Sequence, residues 1–144
     1  MSSPLRAVGQ ALLGSFLVLA GVAHLTFART EFRAQVPPWF PADADLVVLV
    51  SGVVEIAVGA ALLLVWRHPA RAVVGLVTAA LFVAVFPGNI AQLTEHRDAF
   101  GLTSDTSRAV RLVFQPVLVV WAVWSTGAWR WWRRRRVPPP EQHA

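Results

Sequence analysis

Four stretches of the chain, 8–28, 46–66, 73–93 and 110–131, are apolar almost from end to end. Each is close to the ~20 residues an α-helix needs to cross the hydrocarbon core of a bilayer. Lipid offers no partner to an open backbone, so a segment of this kind closes its own hydrogen bonds as a helix. The expectation is an all-α protein: a four-transmembrane-helix bundle with antiparallel up-down order. It forms a single membrane domain over residues 1–136, leaving 137–144 as a disordered tail. Composition excludes the usual alternative. The chain is 56% hydrophobic and 15% charged, whereas about a quarter of an ordinary soluble domain is charged. The first stretch also has marks of a secretory signal, with Arg6 before it and Gly21–Val22–Ala23 imitating a cleavage site. Its length, and the three spans that follow, favour a retained helix.

The basic residues set the orientation. The chain has no lysine; all 13 basic residues are arginine. In a four-span arrangement Arg6, Arg67, Arg71, Arg130 and Arg133 to Arg136 fall on one side. Arg29, Arg33, Arg97, Arg108 and Arg111 fall on the other. That is eight against five, which by the positive-inside rule places both termini and the 67–71 link in the cytoplasm. The net charge of +5 therefore reads as topology, not as nucleic-acid binding. The arginine, alanine and valine bias suggests a bacterial chain, and hence the plasma membrane of a bacterium. The absence of cysteine excludes disulfide exchange, thiolate catalysis and cysteine-held metal or haem on the protein's own side chains.

Between the first two spans runs RTEFRAQVPPWFPADAD, 29–45, whose Pro37, Pro38 and Pro41 prevent a continuous helix. Trp39 and Phe40 beside them have the character of interface anchors. The link at 67–71 is short enough to make the second and third helices antiparallel neighbours. In the polar connection 94–108, the run Ser104–Asp105–Thr106–Ser107 offers an N-cap for the fourth span. The tail beginning WRWWRRRR joins an aromatic belt to a basic cluster, a stop signal and orientation anchor that also suits anionic head groups or a partner.

Within the spans lie polar residues that lipid would not tolerate. Glu55 sits near the middle of the second, where a charged group costs at least about 2.5–3.5 kcal/mol. His24, Asn89 and Gln115 fall near the outer ends of the first, third and fourth, with Arg111 one turn before Gln115. Glu55 lies deeper, ~12–14 Å below the outer surface at 1.5 Å per residue. Helical spacing turns these inward. Gly14, Gly21 and His24 share one face, and Ser51, Gly52, Glu55 and Gly59 another. Small residues so spaced mark close helix contacts in membranes. Pro87 followed by Gly88 predicts a kink in the third span that frees the carbonyl of Val83 beside Asn89. Pro116, by contrast, is expected in the first turn or two of the fourth helix. Singly, an Asn, Gln or His here is more often interhelical glue or packing than a ligand contact. Together the residues form either one ligand pocket or a closed network that fixes helix register.

The chain resembles the DoxX-like family of small four-helix membrane proteins. The resemblance rests on GVAHLTF (21–27), VPPWFP (36–41), SGVVEIAVGAALLL (51–64), the turn at 67–71, VFPGNIAQ (85–92) and the pair Gln115–Pro116. It implies the four-helix fold, with His24, Glu55, Asn89 and Gln115 at the family's polar positions. It also implies links, in some members, to quinone-coupled oxidation or to membrane oxidoreductase complexes, and in others to partner binding.

The expected function is a binding or assembly module. An outward-facing polar pocket, formed by His24, Glu55, Asn89, Gln115 and Arg111, takes a small lipid-like ligand or a partner helix. The alternative is a bilayer enzyme, quinone-linked or acting by proton transfer, with Glu55 as acid or base and His24 as relay. Quinone is the cofactor this alternative admits, and no metal or haem motif is present. The expected partners are the bilayer, a small apolar ligand or a partner membrane protein, and a second copy in a homo-oligomer. A scaffold whose network is closed on itself and a proton-coupled transporter complete the set.

Overall fold

The computed structural model describes residues 3–138. The helices are α1 (Pro4–Leu25), α2 (Arg29–Arg33), α3 (Ala44–Leu64), α4 (Ala70–Ala84), α5 (Phe86–Thr94), α6 (Asp105–Thr126) and α7 (Ala128–Arg136). Among the described residues there is no strand, only an isolated bridge between Ala99 and Leu102. Among the described residues four helices are long and apolar enough to cross a membrane: α1, α3, α4 with α5 as one broken helix over Ala70–Thr94, and α6. The protein is a multi-pass membrane protein. Of the expected tail 137–144, residues 139–144 lie outside the described residues.

Side-chain caps set the starts of three spans. Ser3 Oγ accepts from the Arg6 N–H, with Pro4 in the first turn. Asp43 Oδ1 accepts from the Leu46 N–H at 3.1 Å, and Ser104 Oγ from the Ser107 N–H at 3.2 Å. Each removes one of the orphan donors of a helix start. The Ser104 cap, anticipated in the sequence, begins α6 five residues before the expected position 110. Pro116 therefore lies in the helix interior, not in its first turns, and leaves the carbonyl of Leu112 without its usual donor.

At the far end, Gly127 adopts φ +72° and closes α6 by donating its N–H to Trp124, a left-handed stop that glycine takes at least cost. The fourth span thus ends at Thr126, and residues 128–131, expected inside it, belong to α7. There Arg135 lies 4.3 Å over the Trp131 ring and Arg136 4.0 Å over Trp132. The third span breaks at Val85, where α4 gives way to α5 with Pro87 in its first turn. The 29–45 connection contains the short helix α2, which its prolines do not reach.

Packing is lopsided. α1 lies along α3 and α4 along α6, and α1 also meets α6, whereas α3 and α4 meet far less. Their five-residue link keeps them near each other at one end only, so the expected neighbour relation holds there and fails at the other. Glycines explain the pull of α3 onto α1. A Cβ on Gly21 would lie 2.6 Å from the Gly52 carbonyl oxygen, and one on Gly59 would lie 2.8 Å from that of Gly14. The two backbones touch where a side chain would hold them apart. Leu13, Leu17, Leu62, Phe82, Leu118 and Ala122 fill the centre.

The end of the bundle near the 65–69 link is locked by a polar network. Arg71 is 2% exposed. Its Nε donates to Gln10 Oε1 at 2.6 Å and its terminal nitrogen to the Ser125 carbonyl at 2.9 Å. Gln10 Nε2 donates in turn to the Leu62 and Val65 carbonyls. Arg71, expected as a topological charge in the link, is instead a buried clamp joining α1, α3, α4 and α6. Nearby His68 sits against Gly127, and burial, then Arg71 and Arg134, pull its imidazole below the ordinary value.

Candidate functional site

The splay between α3 and α4 opens a cavity of about 710 Å³ at the opposite end. Its walls come from α1, α3, α4, α5 and α6, and α2 with the Gln35–Phe40 segment lies across it. His24, Glu55, Asn89, Arg111 and Gln115, the five residues singled out in the sequence, all line it. The rest of the lining is largely apolar and aromatic, the usual makeup of small-molecule sites.

Glu55 is 9% exposed. It faces His24, whose Cβ packs on the glycine step at Gly52. His24 Nδ1 lies 3.2 Å from Glu55 Oε2 but only 2.8 Å from the Ala20 carbonyl. A neutral imidazole has one N–H, and Nδ1–H directed at Ala20 satisfies that carbonyl and leaves Nε2 as acceptor. Glu55 Oε2 then has no hydrogen-bond partner among the described residues, although it is wholly shielded from solvent. The pair is in ion-pair distance without a well-aligned bond. Buried polar atoms are almost always satisfied, so this oxygen is an open valence just behind the cavity wall that Glu55 helps to form.

Asn89 and Gln115 are spoken for. Asn89 Nδ2 donates to Gln115 Oε1 at 3.0 Å, and Gln115 Nε2 donates to the Phe82 carbonyl at 2.8 Å. The break at Val85 leads to this arrangement. The carbonyl that Gln115 takes up belongs to Phe82, one residue earlier than the expected Val83, whose oxygen is approached by the Val85 N–H. These two amides bind α4, α5 and α6 to one another at the cavity wall, a joining role over and above any contact with a ligand.

Among the described residues Arg111 has neither carboxylate nor backbone partner. Its guanidinium lies 4.9 Å over the Phe100 ring and faces the side-chain amide of Gln35. With the Gln35 nitrogen toward Arg111, donor would confront donor. With its oxygen there, it accepts from both terminal nitrogens at 2.7 and 2.6 Å. Hydrogen-bond chemistry decides such amide orientations, and it selects the second. The Gln35 oxygen also lies 3.3 Å from the Gln92 amide, whose nitrogen is otherwise unpaired. Turning Gln92 as well satisfies it.

Sequence reasoning missed Gln35, Phe32 and Phe100. Phe32, on α2, stacks on the His24 imidazole at 3.3 Å between centroids and 15° between planes. Phe100 meets Phe32 edge-on at 4.7 Å. The covering segment is tied down from the far loop. Arg97 donates to the Ala34 and Val36 carbonyls at 3.0 and 2.6 Å, and Glu31 Oε2 accepts from the Phe100 N–H at 2.6 Å. Gly88 lets this segment rest on α5, since a Cβ there would stand 2.7 Å from the Gln35 carbonyl oxygen. No local pattern marked these residues, because all three lie in stretches that read as connections. Among the described residues no three His, Cys, Asp or Glu side chains converge as metal ligands.

No curated protein matches the chain. No solved structure matches it. A family model described as Domain of unknown function (DUF8561) matches residues 13–126, taking in all five cavity residues named above. By that match, which covers most of the chain and nearly all of its membrane-spanning sequence, the protein belongs to this family.

Proposed function

We propose that the protein is a binding or assembly module of a bacterial plasma membrane, holding a small lipid-like amphiphile in the cavity between α3 and α4. In this reading the cavity opens in the outward half of the bundle and both termini are cytoplasmic, as the arginine distribution favours. The DoxX-like resemblance belongs to the same proposal, as a kinship with small four-helix membrane proteins, some of which act through partners. The observation that carries it is Glu55 Oε2. A buried carboxyl oxygen without a partner is costly, and a ligand toward which the Glu55 side chain turns its carboxyl in the apolar cavity removes that cost.

Native mass spectrometry of the protein in mild detergent, wild type beside Glu55→Gln, tests this. An extra mass carried by wild type and lost or weakened in the variant supports the pocket. Bare protein in both, with lower thermal stability in the variant, would make Glu55 a structural partner of His24 and end the proposal. The proximity of His24 Nδ1 to Glu55 favours one second reading, an acid–base enzyme with quinone or another apolar substrate. Turnover of the retained molecule, abolished by Glu55→Gln in a folded protein, would select that reading.

A further inference from the structure

Near the cavity, positive and negative side chains are matched almost one to one. Arg29 and Arg33 both reach Asp45. Arg97 lies 3.9 Å from Glu95, and Arg108 holds Asp98 and Asp105. Glu31 is engaged by the Phe100 N–H, Asp43 caps α3, and Glu55 faces His24. Arg111 is the exception. Among the described residues no carboxylate stands within 4.0 Å of it, and its terminal nitrogens meet only the neutral oxygen of Gln35. It is also the arginine that lines the cavity.

We propose that Arg111 is the anchor for an anionic head group, so that the ligand of this pocket is an amphiphile with a carboxylate or phosphate head and an apolar chain. The inference rests on the reading of the cavity as a ligand site. A half-buried cation without a counter-ion is unfavourable, and a ligand anion completes the charge balance that its four neighbouring arginines already have. Gln35 takes one N–H from each terminal nitrogen, and the Nε–H with the outer N–H beside it remains as a pair of parallel donors that match a carboxylate or phosphate edge. The chain then lies against Leu17, Val48, Val54, Leu81 and Leu118. Asn89 and Gln115 are satisfied by each other and by Phe82, which leaves Arg111 as the fixed charge able to select a head group.

The test is ligand competition on the full chain in a neutral maltoside detergent, followed by native mass spectrometry and thermal unfolding. Hexadecanoate, hexadecan-1-ol and phosphatidylglycerol are the probes. Hexadecanoate should bind wild type roughly tenfold or more tightly than the alcohol, the size expected of a charge-assisted pair. In Arg111→Gln that ratio should fall toward one while alcohol binding persists. Arg111→Lys, keeping charge but not the fork, should fall between. Phosphatidylglycerol displacing the acid would make a bilayer lipid the source of the anion, and failure to displace it would point to a free acid. Equal binding of acid and alcohol to wild type overturns the anionic head and leaves the pocket standing. Binding of none of the three overturns both. Because the wild-type ratio is decisive by itself, a variant that fails to fold does not protect the proposal.

Discussion

Single atoms decide how α1 and α3 meet. Gly52 packs against the His24 Cβ and the Gly21 carbonyl, where a Cβ would stand 2.8 and 3.0 Å away. Gly52→Val forces these apart, shifts Glu55 relative to His24, and should cost about 1–3 kcal/mol as an overpacked contact. Thermal unfolding in detergent should show a clear fall in Tm and a loss of whatever ligand wild type retains. Gln115→Leu tests a different cost. It removes a donor from the Phe82 carbonyl and an acceptor from Asn89. Buried groups left unpaired cost about 1–3 kcal/mol in general, while interhelical hydrogen bonds in membranes average nearer 0.6. A loss of about 1 kcal/mol is therefore expected, and Gln115→Glu, which keeps an acceptor but not the donor, should not restore it. Full stability in Gln115→Leu would show that the α4–α6 contact is held by packing alone.

Elements differ in how plainly the sequence announces them. The four spans are legible because length and apolarity are sufficient to make a helix in lipid, and the inward face because glycines and polar residues recur at helical spacing. Pro87 announces the break in the third span. Other features are silent for physical reasons. Gly127 sits in a run of aromatic and small residues where nothing shows its left-handed φ, so the boundary of α6 with α7 is invisible. The clamp of Arg71 on Gln10 joins residues 61 apart, and a distant partner leaves no local trace. The covering segment is equally non-local, since Arg97 reaches Ala34 and Val36 from another loop. Arg97→Ala should release that segment while sparing the bundle. Hydrogen exchange should then speed up across residues 32–40, with the amides of α1 and α3 unchanged. Uniform acceleration would mean that Arg97 supports the whole fold.

For the molecule as a whole, orientation is the property on which an outward pocket depends, and the proposed orientation rests on a narrow charge difference. Eight arginines lie on the side of the Arg71 clamp and five on the side of the cavity, and half of the eight are Arg133 to Arg136 in and after the second turn of α7. Replacing those four with glutamine turns eight against five into four against five, because 8 − 4 = 4. The rule weighs basic residues near the ends of spans and in short loops, so the bias behind the proposed cytoplasmic placement of the termini should vanish or reverse. The absence of cysteine from the sequence makes this directly measurable. A single cysteine at Thr103, in the loop before α6, should react with a membrane-impermeant maleimide from outside intact cells, and one at Ser3 should not. In the glutamine variant labelling at Thr103 should fall and labelling at Ser3 should rise. Unchanged labelling would mean that the α7 arginines do not orient the bundle. Reaction at Ser3 in the otherwise native chain would turn the cavity toward the cytoplasm, and the ligand would have to be sought on that side.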